Sequence, residues 1–238
     1  MPTDHNALYA SAQVRQLFAQ ELAALTPILG GVYGNAGLLL RAHADTAAEL
    51  PKHLVGTILD LALTPRRALD GSLRCLPDEL PLLSGSCKLV IAQHVLERLD
   101  DPAAAIGELA RVLAPEGVAL ILGFNPWSLW RPWLAGKSRG AATSLYPRSA
   151  LSCQHLLAKH GIETLQTRYL GASMPLRRET PQTVIPEWRS PLLGRFAAGW
   201  LLLARKRRSA LTPLRLRSKA RELAINPRLA TGAHRECA

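Results

Sequence analysis

The chain has 238 residues, 48% hydrophobic and 20% charged, which excludes an intrinsically disordered protein and allows a core that needs no disulfide or metal staple. Its four cysteines, Cys75, Cys87, Cys153 and Cys237, form no close pair, which excludes a disulfide scaffold and a zinc ribbon and fits a reducing compartment. The net charge of +11 is uneven: residues 205–238 hold ten Lys/Arg against two Glu, and the first 204 residues hold 19 against 16. The body is therefore near neutral. Arg205–Arg221 offers cations that nucleic-acid phosphates would accept, but no aromatic residue interleaves with them, which fits a solvated tail equally well.

In chain order, Val14, Leu17, Phe18, Leu22 and Leu25 mark one stripe of a helix over Ser11–Leu29, which Gly30-Gly31 ends. Gly37–Ala44 reads as a first strand and Leu54–Leu63 as a second, closed by Pro65. Lys88–Ala92 is a short apolar run suited to a strand covered on both faces. Asp101-Pro102 is an N-cap acid followed by proline in the first turn, and Ile106, Leu109, Ala110 and Leu113 then repeat at helical spacing. Ala114–Gly117 breaks that helix, and Val118–Phe124 is the next buried strand, completing a βαβ unit.

Trp127, Trp130 and Trp133 follow at intervals of three, either as a lid packed on the body or as aromatic faces for a ligand. A helix is expected near Arg148–His160, and Ile162–Leu170 and Ala197–Ala204 read as a final antiparallel pair closing a mostly parallel sheet. The start of the chain shows no basic segment followed by an apolar one, and its longest apolar run, Phe196–Ala204, has nine residues against the about 18 a membrane span needs. No transmembrane segment is expected, and a cytoplasmic location is.

The stretch Leu80–Phe124 resembles the class I S-adenosylmethionine (SAM)-dependent methyltransferases, type 11 branch. The residues that carry the likeness are Leu80-Pro81, Leu89-Val90, His94-Val95-Leu96-Glu97, Asp101-Pro102 and Arg111–Gly117. Gly123–Trp130 and Ala204–Arg207 resemble a bacterial subgroup of that family. The likeness implies an α/β fold: a seven-stranded, mostly parallel, doubly wound sheet flanked by helices. The expected organisation is an N-terminal helical segment over 1–32, a methyltransferase-like domain over 33–208 and a weakly ordered basic tail over 209–238.

The chain departs from the family pattern at three places. The loop after the first strand is Ala42-His43-Ala44-Asp45, without the glycines that let backbone approach the cofactor. Leu76 stands where the family has an acid for the adenine, and Lys88 replaces the aspartate that opens the fourth strand. The resemblance implies SAM as cofactor, no metal, and a small or medium-sized acceptor. Positions expected to line the cofactor are Arg41, Ala42, His43, Ala44, Asp60, Asp78, Glu79 and Gln93. Asp60 is the acid nearest the place for ribose, and Asp78 and Glu79 are the acids nearest the adenine.

His94 is the expected general base, since an ordinary imidazole titrates near neutrality. Glu97, Asn125, Trp127 and Trp130 are the substrate or lid candidates. Beside methyl transfer stand two alternatives: an inactive methyltransferase-like binding or scaffold protein, and an RNA-directed methyltransferase anchored by Arg205–Arg221.

Overall fold

A computed structural model describes residues 8–44, 46, 49–137, 145–171 and 196–207. Seven strands form one sheet: β1 (Tyr33–Arg41), β2 (Leu54–Leu63), β3 (Leu69–Gly71), β4 (Cys87–Gln93), β5 (Leu113–Phe124), β6 (Ile162–Leu170) and β7 (Gly199–Lys206). Their spatial order is β3-β2-β1-β4-β5-β7-β6. Strands β2, β1, β4 and β5 run parallel, while β7 pairs antiparallel with both β5 and β6, and β3 antiparallel with β2. The expected seven-stranded, mostly parallel sheet with a terminal antiparallel pair is thus present.

Helix α1 (Ala12–Leu29) covers one face and is capped by the Ser11 side chain. Its stripe differs from the expected one: Val14, Leu17, Phe18 and Leu25 are buried with Glu21, while Leu22 is only half-buried. Position 21 lies three and four residues beyond Phe18 and Leu17, so helical geometry puts its carboxylate on the apolar side. Helix α2 (Pro102–Val112) packs on the opposite face. Asp101 Oδ1 accepts from the Ala103 and Ala104 amides at its start. At its end Lys206 Nζ donates to the carbonyls of Ala110 and Leu113, where a cation offsets the negative pole of the helix.

A short helix α3 (Arg131–Lys137) follows β5 and buries Leu134 in the core on the α1 side, whereas α4 (Ala150–Lys159) joins α2, packed with Leu38, Val90, Ile121 and Leu202. The other core sets Leu17, Phe18 and Leu25 against Leu39, Ile91, Leu120 and Phe124. Trp200 lies across Gly123, where an added Cβ would come within 2.6 Å of the indole.

Two elements depart from the expected course. First, β1 ends at Arg41 rather than Ala44. Arg41 Nη1 donates to the carbonyls of Ala44 and Thr46, which curls the following residues back over the strand end. Second, β2 turns directly into the antiparallel stub β3, with the Thr64 amide and hydroxyl both donating to the Ala68 carbonyl and Arg67 in the left-handed region at φ 62°. Between β1 and β2, no described residue of 42–53 is helical. Lys88, in place of the expected acid, packs its stem against Gly34 and donates to the Pro115 carbonyl.

Candidate functional site at the carboxyl rim

The carboxyl ends of parallel strands are where doubly wound sheets hold ligands, because loops diverge there and backbone groups face the opening. Here that rim holds two side-chain clusters.

The first lies where β1 meets β2. Arg41 grips Asp60 with two parallel bonds, Nε to Oδ1 and Nη2 to Oδ2, each 2.6 Å. Such a fork-to-fork pair is among the stronger charge-assisted contacts. The register explains it: Leu39 partners Asp60 and Arg41 partners Ala62, so Arg41 and Asp60 project from the same face one step apart. Arg98, in a 3-10 turn over Leu96–Arg98, is 1% exposed. Its Nη1 donates to the carbonyl of Ala42 and, at 3.5 Å, to that of Leu63, tying the ends of β1 and β2 together. Tyr9, 2% exposed, lies flat against His43 (ring centroids 5.7 Å apart, 11° between planes), and the Arg98 guanidinium sits 5.8 Å from its ring centre.

The second cluster follows β4. His94 is fully buried at φ 54°, a left-handed conformation that a non-glycine residue adopts at a cost. Both ring nitrogens are engaged: Nδ1 with Glu97 Oε1 at 2.6 Å and Nε2 with Glu21 Oε1 at 2.7 Å. Glu97 Oε2 accepts from the Phe124 amide, and Glu21 Oε2 from Gln93 Nε2. Phe18 and Phe124 flank the imidazole at 5.0 and 4.2 Å. Burial opposes a charge on His94, but the carboxylates of Glu21 and Glu97 outweigh it and push its pKa up to about 10. Burial likewise raises Glu97, against the pull of His94. With the imidazole charged, each ring N–H donates to its own carboxylate, Nδ1 to Glu97 and Nε2 to Glu21.

The other candidates lie apart from these clusters. Asp78 and Glu79 are exposed, Glu79 beside an open cleft with Arg74, Cys75 and Leu76. Ala44 is exposed, whereas Ala42 and His43 are buried. Asn125 is buried and its Oδ1 accepts from the Trp127 amide. Of the tryptophans, Trp130 is 4% exposed and meets Trp133 edge-on, while Trp127 is 70% exposed. Packing accounts for Trp130 but not for Trp127. Of the basic tail, only Arg205–Arg207 is described: Lys206 caps α2, Arg207 pairs with Glu163, and Arg205 lies 4.0 Å from Glu116. Residues 208–221 of the proposed nucleic-acid anchor lie outside the described residues.

Sequence reasoning missed Glu21, Arg98 and Tyr9. An acid at a stripe position of α1 was a usable signal for Glu21. Nothing local marks Arg98, whose partners are 56 and 35 residues away.

Comparison with known proteins matches this architecture. Residues 52–121 match the family described as a methyltransferase domain. A SAM-dependent methyltransferase from Archaeoglobus fulgidus superposes with a TM-score of 0.59 at 11% identity, covering 84% of this chain and 97% of that one. A chain from the Haloferax volcanii complex between the Trm112 methyltransferase activator and a methyltransferase gives 0.58 at 14%, covering 87% and 98%. A SAM-dependent methyltransferase from Thermotoga maritima gives 0.55 at 14%, covering 85% and 98%. No curated protein matches the sequence. The fold is that of the class I methyltransferases. The family match begins at Lys52, beyond β1 and the rim residues Arg41–Ala44.

The cofactor which that family implies is a cationic sulfonium nucleoside that needs a free acid for its ribose and close backbone approach. The described residues do not fit it. Both oxygens of Asp60 are bonded to Arg41, and the carbonyls of Ala42 and Ala44 accept from Arg98 and Arg41. The Arg98 guanidinium, which makes no ion pair among the described residues, disfavours a sulfonium beside it, and the Tyr9 ring occupies the space between His43 and Arg98.

Proposed function

We propose that this chain acts as a methyltransferase-fold binding module that does not transfer methyl groups from SAM. One observation carries the reading: the Asp60 carboxylate of β2 and the carbonyls of Ala42 and Ala44 after β1 are already bonded to Arg41 and Arg98. Freeing Asp60 would strand a half-buried carboxylate and an arginine at once, and truncating one partner of such a pair is costlier than the pair's own net worth. His94, the expected base, has both nitrogens engaged and is fully buried. A base must come within hydrogen-bond reach of the proton it removes.

A second reading, SAM-dependent methylation of a small or medium-sized acceptor, is favoured by the family match over 52–121 and by the methyltransferase neighbours. It requires the segment around Tyr9 to leave the rim and Arg41 to release Asp60. Calorimetry on the full chain separates the two. The binding-module reading expects no heat from SAM or its demethylated product at millimolar concentration. Saturable micromolar binding of either supports the enzyme and rejects the module.

A further inference from the structure

Resting on the reading that the rim does not take a sulfonium nucleoside, we propose that Arg98 and Tyr9 form a binding site for a small oxyanion, a carboxylate or phosphate group, between the carboxyl ends of β1 and β2. Buried polar groups are as a rule hydrogen-bonded, and those that are not call for an explanation. The Arg98 Nη2 and the Tyr9 hydroxyl are both buried without a hydrogen-bond partner. They belong to one contact, the guanidinium lying against the phenol ring. Both are donors at neutral pH. Burial raises the Tyr9 phenol well above its ordinary range, so it keeps its proton, and a guanidinium has donors only.

The charges around Arg98 show why an anion suits it. Arg41 is matched by Asp60 and Arg67 by Asp100. Glu97 and Glu21 hold the His94 imidazolium between them. Burial weighs most on Arg98 and opposes its charge, and Glu97 supports that charge only through space, because its oxygens are bonded to His94 and to the Phe124 amide. Among the described residues Arg98 makes no ion pair. An oxyanion accepts from both orphan donors and brings the countercharge into contact, giving charge-assisted bonds. The site is small, since Nη1 is pinned to the Ala42 and Leu63 carbonyls and the Tyr9 ring lies against His43.

The test titrates the full chain with inorganic phosphate, acetate and succinate at matched ionic strength against chloride, following thermal unfolding and calorimetric heat. Phosphate, a carboxylate or both should raise Tm saturably, and the stronger of them identifies the source. Tyr9→Phe should raise Tm without ligand, because it removes an unpartnered hydroxyl. It should also weaken the oxyanion about ten-fold, the worth of one hydrogen bond to a charged group. Arg98→Lys should weaken it at least as much; if that variant does not fold, Tyr9→Phe decides alone.

No saturable shift at tens of millimolar of any of the three anions overturns the proposal. So does binding that Tyr9→Phe leaves unchanged, or a lower ligand-free Tm in Tyr9→Phe, which would place a structural water on the hydroxyl. SAM titrated in parallel keeps the two readings apart. SAM binding rejects the module reading, whereas silence from both SAM and the anions rejects only the oxyanion site.

Discussion

On one side of the sheet, β4, β5, β7 and β6 are backed by α2 and α4, and a continuous core of Val90, Ile106, Leu109, Ile121 and Leu202 runs beneath them. On the other side, β1 and β2 are joined without a helix among the described residues, and β2 folds into a three-residue antiparallel stub. Both sides bury apolar side chains, Leu38, Leu40, Leu61 and Leu63 of β1 and β2 included. The second is held at its rim by arginines: Arg41 on Asp60, and Arg98 on the ends of both strands. Apolar packing tolerates many sequences of similar volume, whereas a ligand-holding rim needs particular groups left free. The comparison teaches that apolar packing can keep a fold whatever particular groups strand register and helix docking bring to its rim.

The His94 cluster lies on the border of these halves, since β4 pairs with both β1 and β5. Replacing His94 with Ala leaves Glu21 and Glu97 buried near each other without their shared cation, and should cost about 3–5 kcal/mol in chemical denaturation. A loss under about 1 kcal/mol would mean the border is not held by charge. In the packed half, Ile106→Ala opens a cavity in a fully buried core and should cost about 2–4 kcal/mol. A cost well below that would dissolve the contrast between a packed and a charge-held half.

Per pH unit, the effect of titration is smaller. The pKa of His94 is raised from 6.5 to about 10 in the folded state. Its contribution is therefore complete below the unfolded pKa and is lost as pH rises through the folded one. Glu97, also raised, acts in the same direction in its own, more acidic window. Unfolding free energy should then fall by ~1 kcal/mol per pH unit from about pH 7 to 10, an effect that His94→Gln should flatten. A profile that rises with pH, or one unchanged in His94→Gln, would show the imidazole to be neutral in the fold.

Much of the architecture was legible before any coordinates. The Asp101-Pro102 cap, the stripe of Ile106, Leu109 and Ala110, and the run Val118–Phe124 are local patterns, and α2 and β5 contain them. That the described residues just after β1, Ala42-His43-Ala44, include no glycine was equally plain, and the carbonyls of Ala42 and Ala44 accept from Arg98 and Arg41. The stub β3 was not legible, because three residues carry too short a pattern to be told from a turn.

The site was harder to read than the fold. Asp60, Gln93, His94 and Glu97 were recognised as chemistry-bearing residues, but not that Arg41 would consume one and Glu21 two of the others. Those partners lie 19, 72 and 73 residues apart.

The amino-acid order alone determined which stretches become helices and buried strands, because capping, periodicity and turn chemistry act over a few residues, while tertiary contacts moved several of their ends. Which donors and acceptors at the rim remain free was decided only by the tertiary structure. Hydrogen bonding there is a competition among groups brought together by strand register and helix docking, and no local pattern records its winner.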